Sequence, residues 1–306
     1  MTVPGEYLTL KRAALDHLLA AAAVRRGAVF ASAKVAGVTP VPGGVEVAFE
    51  RERRVFKARA AVLATGADVA IPEKLGMVEQ RTASAFAMRC YVSSSLDLDR
   101  LVIAYDRSTL PGYAWIFPLG GGEFNVGCGA ISKEGASPTN LKSVYESFLG
   151  SFPLARELMA RAGGSTPLRG ARLRCGLTGC SPIADGTVLA AGETIGCTFP
   201  YTGEGIGKAM ETGLMAGESL AGALASGERE PLEKFPARLQ GELKPRYLGY
   251  EQAERWFASP WLNDFVVRRG DRSRFLKKTL PAVFAEREDP RTVFSTWGLV
   301  KVALGF

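Results

Sequence analysis

The spacing of apolar residues predicts a helix near the start of the chain. Between residues 9 and 28 the apolar side chains recur at helical spacing, and the segment ends at Gly27. Such spacing places them on one side of a helix, and glycine is a common residue just past a helix end. The predicted apolar face consists of Leu15, Leu18, Leu19, Ala22 and Ala23.

The following segments are β-like, and the last of them is apolar throughout. Strands are predicted over 28–38, over 44–50 after the turn VPGG, and at the fully apolar stretch 61–64. Residues 84–133 are predicted to be mostly strands, and residues 138–162 have a helical pattern. The predicted order continues with strands over 169–177 and 186–192, a long helix over 206–224 and a mainly helical region from 230.

This order of elements predicts a mixed α/β fold in which a discontinuous domain is interrupted by a β-rich insertion. The discontinuous domain is predicted to consist of residues 1–75 and 175–225. The insertion, residues 76–174, is predicted to form an antiparallel β-sheet domain, and residues 226–306 a helical C-terminal region.

The composition is that of a folded globular protein with a modest positive charge. The 306 residues are 47% hydrophobic and 23% charged, with a formal net charge of +7. Because the basic residues form no long runs, the charge favours small anionic partners or lipid head groups over nucleic acid. Five cysteines without CxxC spacing and one histidine argue against a metal site and favour a reducing compartment. No apolar leader or membrane-spanning stretch is visible, so we expect a cytoplasmic protein.

Two glycine-containing segments follow apolar strands. In VLATGAD the strand ends at Thr65 and Gly66, where the lack of a Cβ lets the backbone approach a ligand. In VLAAGETIGCTFPYTGEGIGKAMETG, residues 188–213, a strand delivers Gly192 and Glu193, and glycines open a helix near Ile206. The first N–H groups of a helix are unpaired and electropositive, which suits a phosphate or an electron-rich ring edge. The alternative in both places is an ordinary glycine-rich turn.

A third pattern lies in PGYAWIFPLGGGEFNVGCG, residues 111–129. Tyr113, Trp115 and Phe117 alternate, so on a strand they share one face. Gly127 and Gly129 share a face on the returning strand, and a bulky wall opposite small residues would leave a slot for a flat ring or an isoprenoid chain. The alternative is ordinary packing in the core of a sheet.

The sequence at residues 188–213 resembles the third flavin-binding motif of FAD-dependent oxidoreductases with the p-hydroxybenzoate-hydroxylase-like fold. VLATGA is similar to the Ala-Thr-Gly strand end of that family, and LKRAALDHLL to the helix that carries its Arg and Asp, here Arg12 and Asp16. The usual motif has Asp where this chain has Glu193, which keeps the charge but changes its reach to the flavin ribityl chain. The resemblance implies a Rossmann-like FAD/NAD(P)-binding domain with these cofactor-binding residues: Arg12, Thr65, Gly66, Gly192, Glu193, Pro200, Gly203, Glu204, Gly205 and Ile206. The alternative for Arg12 and Asp16 is a surface ion pair one helical turn apart.

The aromatic strand resembles the YxWxFPx8GxG pattern of the geranylgeranyl reductase branch of this family. The resemblance implies a reductase that uses FAD, with NAD(P)H or a reduced electron carrier as donor, on C=C bonds of an isoprenoid or similar lipid-like substrate. It implies that Tyr113, Trp115 and Phe117 line the catalytic cavity, with Tyr113 as a candidate proton donor. The implied substrate-contact residues are Pro118, Gly127 and Gly129. Neither His17 nor Cys128 is expected to be catalytic.

Two other functions fit the same residues. A flavin-dependent monooxygenase or halogenase-like enzyme would share the fold, because oxygen reactivity cannot be read from these motifs. A non-catalytic truncated homologue or subunit that binds lipid or a partner is the alternative from another class.

Enzymes of this family begin with a GxGxxG unit that holds the FAD pyrophosphate, and no such unit is visible here. Three explanations are open: a chain that starts late, a separate polypeptide that supplies the unit, or a shortened homologue with weakened FAD binding. Without that unit the parallel sheet would have an open edge, so we expect the isolated chain to be poorly stable or dependent on a partner.

The C-terminal segment WFASPWLNDFVVRRGDRSRFLKKTL, residues 256–280, mixes aromatic and basic residues. Such a segment is typical either of contact with an anionic membrane surface or of a helical cap over a domain. The residues concerned are Trp256, Phe257, Trp261, Phe265, Arg268, Arg269, Arg272, Arg274, Lys277 and Lys278.

Overall fold

The structure is a computed structural model that describes residues 2–51, 55–105, 107–132, 139–257, 259–270 and 272–304. The chain divides into two compact units. Unit 1 consists of Met1–Gly5, Val35–Ala85 and Arg172–Phe306, and unit 2 of Glu6–Lys34 and Phe86–Ala171. The three-part division predicted from the sequence stays a prediction.

The strands lie in the first two thirds of the described chain, and the last third is helical. The helices are α1 (Arg12–Arg25), α2 (Ala70–Lys74), α3 (Leu141–Ser151), α4 (Pro153–Ala160), α5 (Ile206–Ser226), α6 (Glu230–Glu233), α7 (Phe235–Glu242), α8 (Lys244–Phe257), α9 (Pro260–Gly270), α10 (Arg274–Phe284) and α11 (Thr296–Leu304). The strands are β1 (Val35–Val41), β2 (Gly44–Phe49), β3 (Val55–Ala58), β4 (Ala61–Leu63), β5 (Ala85–Ser94), β6 (Val102–Ala104), β7 (Gly112–Gly120), β8 (Glu123–Ile131), β9 (Ala162–Ser165), β10 (Arg169–Leu173), β11 (Ile183–Ala184) and β12 (Val188–Ala190).

Unit 1 contains two small sheets and the C-terminal helices. Strands β1, β2 and β3 form an antiparallel meander, and a second sheet has the order β11-β12-β4. In that second sheet β12 and β4 are parallel, with Val188 opposite Ala61 and Ala190 opposite Leu63. Because parallel strands end at the same edge, the segments that follow β4 and β12 emerge side by side.

The core of unit 1 forms around β12, which is buried on both faces. Val188, Leu189 and Ala190 have at most a trace of exposed surface, as the continuous apolar run of a parallel strand requires. They pack in one cluster with side chains of α5, α7, α8 and α10. The C-terminal helices therefore help to bury the strand that precedes the predicted flavin-binding segment between β12 and α5.

Unit 2 is built on a six-stranded sheet in which β10, β5, β8, β7 and β6 follow one another and β9 also pairs with β5. The hairpin β7–β8 is antiparallel and tightly paired along its length. One face of the sheet packs against α3 and α4, where Ile116, Val126 and Phe148 are almost fully buried. The other face carries the alternate side chains of β7.

The mixed α/β fold class predicted from the sequence is confirmed, and two local predictions need correction. Helix α1 forms where predicted, but none of its residues is buried; Leu18 is 56% exposed and Leu19 44%. The predicted strand 28–38 forms only from Val35 onwards, since its earlier half pairs with no other strand. Among the residues that the structure describes, no helix combines the length and the apolar character needed to cross a bilayer.

Candidate functional site

The two predicted flavin-binding strand ends lie beside each other in unit 1. The hydroxyl oxygens of Thr65, after β4, and Thr194, after β12, are 3.3 Å apart, and the Ala191 N–H donates to the Leu63 carbonyl at 3.0 Å. The Thr65 hydroxyl also donates to the Asp68 carbonyl at 2.6 Å, which closes the turn after β4. The sequence pattern at each strand end therefore belongs to one continuous site.

Gly66 faces open space at that site, whereas Gly192 is buried against α5. Both have left-handed backbones, with φ of 65° and 67°, which L side chains rarely adopt. A Cβ added at Gly66 would meet no atom within 4 Å, so the backbone faces open space. The N–H of Gly192 donates to the Thr212 hydroxyl on α5 at 2.9 Å, which fixes the second strand end against that helix. These features fit the close approach of a flat ligand.

Glu193 is held in place by its own unit. Its Oε1 accepts hydrogen bonds from the Arg174 backbone N–H at 3.2 Å and from the Thr198 hydroxyl at 3.3 Å. Arg174 is a residue that sequence reasoning missed. It is 3% exposed, and its guanidinium donates to the carbonyls of Gln80 and Gly179. Because its backbone N–H also donates to Glu193, Arg174 connects the segment before β5 to the segment after β12.

The segment from Cys197 to Gly207 forms a tight turn that leads into α5. The Phe199 N–H donates to the Glu204 carbonyl at 2.7 Å, and the Gly203 N–H to the Phe199 carbonyl at 3.1 Å. Gly205 is required here because a Cβ would lie 2.5 Å from the Thr198 hydroxyl oxygen. The sequence predicts unpaired N–H groups at the helix start, but the Glu204 carboxylate accepts a hydrogen bond from the Gly207 N–H at 2.7 Å. Part of the expected anion position is thus filled by the chain itself.

Residues of α8 support this turn from behind. The Tyr247 hydroxyl donates to the Cys197 carbonyl, and the Phe199 ring lies 4.6 Å from the rings of both Tyr247 and Tyr250. Burial, reinforced by Glu193, raises the pKa of Cys197 to about 12, so its side chain is a neutral thiol. Each of these contacts spans a long stretch of sequence and gives no local signal.

A buried ammonium group lies just inside α5. Lys208 has 4% side-chain exposure, and its Nζ contacts the carboxylates of Glu211 and of Glu286, the latter at 2.6 Å. Glu286 also accepts from Arg246 at 2.5 Å. This network joins the start of α5 to the C-terminal helices, and sequence reasoning missed it because the partners are far apart in the chain.

The aromatic residues of unit 2 share the face that the sequence predicts. Tyr113, Trp115 and Phe117 are half-buried, whereas the intervening Ala114 and Ile116 are fully buried in the core of the unit. Neighbouring ring centroids are 5.8 Å and 6.0 Å apart, and the Trp115 and Phe117 planes are nearly parallel. The three rings therefore form a continuous wall outside the core cluster of the unit, and whether that wall contacts a substrate or serves packing alone stays a prediction.

The predicted slot opposite this wall needs correction. Tyr113 pairs with Gly129 and Trp115 with Gly127, as the pattern predicts. A Cβ at Gly127, however, would lie 2.4 Å from Cζ2 of the Trp115 indole, so that ring already occupies the space above the glycine. The indole is fixed there by a hydrogen bond from its Nε1 to Asn125 at 3.1 Å. The glycines make room for the tryptophan, and the role of the rings, of Pro118 and of the glycines towards a substrate stays a prediction.

The other candidate side chains occupy ordinary positions. Arg12 pairs with Asp16 on the exposed surface of α1 at 3.2 Å, and His17 beside it is exposed. Cys128 faces the core of unit 2, where burial raises its pKa to about 11. Whether the ten predicted cofactor-binding residues contact a flavin stays a prediction: Arg12, Thr65, Gly66, Gly192, Glu193, Pro200, Gly203, Glu204, Gly205 and Ile206.

Comparison with known proteins finds reductases among the sequence relatives. No protein-family model matches the chain. A menaquinone reductase of Mycobacterium tuberculosis is 33% identical over 174 residues, which cover 53% of this chain and 41% of the relative. A digeranylgeranylglycerophospholipid reductase of Methanopyrus kandleri is 28% identical over 259 residues, covering 80% of this chain and 66% of the relative. The match thus spans less than two thirds of these curated relatives.

Solved structures show the same fold over almost the whole chain. A geranylgeranyl bacteriochlorophyll reductase-like protein of Thermoplasma acidophilum superposes with a TM-score of 0.75 at 17% identity, over 99% of this chain and 79% of that protein. A flavin-dependent brominase superposes with a TM-score of 0.66 at 16% identity, over 97% of this chain and 74% of that enzyme. The chain therefore has the same fold as these solved proteins, one of which is a flavin-dependent enzyme.

The finer resemblance is also confirmed. Among proteins of this fold, the chain resembles the geranylgeranyl reductase family, as the aromatic strand predicts and as the names of its sequence relatives support.

Proposed function

We propose that this chain provides the flavin-ring and substrate side of an FAD-dependent reductase that acts on C=C bonds of an isoprenoid or similar lipid-like substrate. The observation that carries the proposal is the convergence of Thr65 and Thr194 at 3.3 Å. It joins two motifs that are 129 residues apart into one loop pair with an open backbone at Gly66. The reductase names of the sequence relatives support the same reaction class.

The residues of the loop pair fit a flavin. Gly66 leaves open space beside its backbone where a planar ring needs close approach, and Glu193 offers a carboxylate to the hydroxyls of a ribityl chain. When bound, the flavin supplies hydride transfer. The chain's own part is to bind it, to hold the loop rigid through Tyr247 and the Lys208 network, and to exclude water.

The substrate side of the proposal rests on unit 2. The rings of Tyr113, Trp115 and Phe117 on β7 form an apolar wall, and this wall lies on a face of the strand that the core cluster of unit 2 does not use. Such a wall suits an isoprenoid chain or a quinone ring. Tyr113 has the one hydroxyl among the three rings, so we retain it as the candidate proton donor. The electron donor is proposed to be NAD(P)H or a reduced carrier, and the place of action the cytoplasm or a membrane surface.

We further propose that a nucleotide-binding segment, in the same protein or in a partner chain, completes the FAD site at the edge of unit 1. Strand β4 is the edge strand of the sheet β11-β12-β4. Its outer residues Ala61 and Leu63 form backbone hydrogen bonds with Thr187 and Ala191, and Val62 between them is exposed. Helix α5 carries an exposed apolar stripe of Ile206, Met210 and Leu214. Parallel sheets are normally covered on both faces, so an open edge and an uncovered stripe favour a further α/β segment there.

The proposal is tested by flavin binding. Purified chain is titrated with FAD and with FMN while flavin fluorescence is followed, and Glu193→Gln is compared with Glu218→Gln, an exposed position on the distal half of α5. We expect Glu193→Gln to weaken binding roughly tenfold, as loss of a charged hydrogen-bond acceptor predicts, and Glu218→Gln to have no effect. Equal affinities for both variants and the natural chain would contradict the flavin assignment.

The reaction class needs a separate assay. Flavin-loaded protein, with its nucleotide-binding partner if one copurifies, is reduced with dithionite without oxygen and mixed with a polyprenyl lipid. A product heavier by two hydrogens supports a C=C reductase. A halogenated or hydroxylated product formed only with oxygen would favour the brominase-like alternative, whose fold is also similar.

A further inference from the structure

An apolar groove lies on the surface of unit 1 between α9 and α11. It has a volume of about 260 Å³ and is open to solvent on one side. Its lining is entirely apolar and comes from both helices: Trp261, Leu262, Phe265, Leu299, Val300 and Ala303. We call this groove and the exposed residues beside it the α9–α11 face.

Large apolar side chains are exposed on the α9–α11 face, although side chains of this kind are normally buried. Trp261 is 71% exposed, Trp297 65% and Leu304 69%. Single exposed apolar residues are common, but a contiguous group around a groove is typical of an interaction surface. The sequence hypothesis considered residues 256–280, whereas the structure adds α11, which is far along the chain, to the same surface.

Part of the same segment packs inwards, which explains why both sequence interpretations fit it. Trp256, Phe265 and Val266 pack against the core cluster of unit 1. Helix α9 therefore contributes Phe265 both to the core packing and to the groove, whereas Trp261 in the same groove is exposed. The side chain of Phe257, which the sequence hypothesis also includes, lies outside the described residues.

Exposed basic side chains surround the apolar surface. The Arg269 guanidinium lies 6.0 Å from the Phe265 ring, and the Lys301 Nζ lies 5.9 Å from the Trp297 ring. Further exposed basic residues follow at the end of α9 and along α10: Arg268, Arg272, Arg274, Lys277 and Lys278. None of these five forms an ion pair within the described part of the chain, and Asp264 is the one acidic residue in the α9 sequence.

We propose that the α9–α11 face is a docking surface for an anionic phospholipid bilayer. Tryptophan prefers the boundary between head groups and acyl chains, where its ring is buried and its N–H stays hydrated. The basic residues are complementary to the phosphate and carboxylate groups of anionic lipids, each contributing roughly a fivefold gain in binding. This combination of exposed indoles, an apolar groove and cations without an ion pair among the described residues favours a lipid surface over a protein helix, whose apolar face would not need the charges.

The inference concerns where the protein works and does not depend on flavin binding. It is tested by sedimentation of the full chain with vesicles of phosphatidylcholine alone or with roughly one third phosphatidylglycerol, the range in which basic segments bind. We expect binding to the anionic vesicles at low salt, at least about tenfold weaker binding to neutral vesicles, and a strong decrease at high salt.

Two variants locate the contact. Trp261→Ser with Trp297→Ser is expected to reduce the vesicle partition coefficient at least about tenfold, and Arg268→Gln with Arg269→Gln about twenty-five-fold. The control pair Phe56→Ser with Lys57→Gln changes an exposed aromatic and an exposed cation on β3, and it should bind like the natural chain. Circular dichroism checks that each variant is folded.

Several results would overturn the proposal. In the first, the natural chain binds neutral vesicles as strongly as anionic ones. In the second, the tryptophan variant binds anionic vesicles as strongly as the control pair. In the third, the tryptophan variant changes from dimer to monomer but binds vesicles as before. If a variant does not fold, tryptophan quenching of the natural chain by brominated lipids decides the question, and its absence counts against the docking surface.

Discussion

Gly127 and Gly129 are two positions apart on β8, yet they tolerate a side chain to different degrees. A Cβ at Gly127 would lie 2.4 Å from both the Met88 carbonyl oxygen and the Trp115 ring, whereas at Gly129 the nearest atom would be 3.4 Å away. The first distance forces the backbone to move, and the second is an ordinary contact. Of these two glycines, only Gly127 is needed for the close approach of β8 to β5.

We expect Gly127→Ala to lower the free energy of unfolding by about 1–3 kcal/mol, because overpacking against the backbone of β5 has no flexible side chain to absorb it. Gly129→Ala is the matched control and should change it by less than about 0.5 kcal/mol. Urea denaturation followed by circular dichroism measures both. Equal losses in the two variants would contradict the clash with the β5 backbone at Gly127.

The Cys128 thiol makes stability depend on alkaline pH. Burial raises its pKa to about 11, above the ordinary value of 9.0, so the unfolded chain releases this proton first. Its contribution to stability is therefore complete below pH 9 and decreases as the pH rises towards 11, by at most about 1.4 kcal/mol per pH unit.

Denaturation of the natural chain and of Cys128→Ala at pH 7.5 and pH 10 should show a smaller pH-dependent loss in the variant. A parallel decrease in both proteins would mean that Cys128 titrates normally. Labelling with a thiol reagent at pH 8 provides an independent check, since the neutral, buried thiol should react only after unfolding.

At the scale of elements, the turn between β12 and α5 depends on α8. The Tyr247 hydroxyl on α8 donates a hydrogen bond to the Cys197 carbonyl at the start of this turn. We expect Tyr247→Phe to cost about 1–3 kcal/mol, because a buried carbonyl loses its donor, and to weaken flavin binding. Tyr250→Phe is the control, since its hydroxyl contacts Val283 on α10 rather than the turn. Thermal unfolding and flavin titration test both effects, and equal flavin affinities would show that the turn is rigid without α8.

Local signals predicted the elements of the site but not the contacts that hold them. The apolar strand before Gly192, the proline and the glycines before α5 act within a few residues, so their pattern is visible in the sequence. The Tyr247 and Lys208 contacts join positions 50 and 78 residues apart, which no local pattern encodes. The slot at Gly127 was wrong for a related reason: alternation places Trp115 on a face, but side-chain packing decides where its ring lies.

At the scale of the whole molecule, the open edge of β4 and the apolar stripe on α5 make unit 1 prone to association. An exposed strand edge is a template for pairing, and a charged residue on it prevents this. We expect Val62→Lys with Leu214→Glu to reduce light scattering at high protein concentration without loss of stability.

The control is Val29→Lys, which adds a charge at an apolar residue that is 94% exposed and outside any strand. Light scattering and size-exclusion chromatography at several concentrations make the comparison. An equal effect of the control would indicate a general influence of charge, and the edge would not be the cause.

The position of Lys208 has one more consequence, for the evolution of the chain. Its ammonium is buried and contacts the carboxylate of Glu286, which lies just after α10. Loss of Glu286 would leave the buried ammonium with Glu211, and loss of Lys208 would leave Glu286 with Arg246, so either change removes part of the charge balance of the network. Among divergent homologues we therefore anticipate paired replacement, with an apolar residue at one position accompanied by a neutral one at the other.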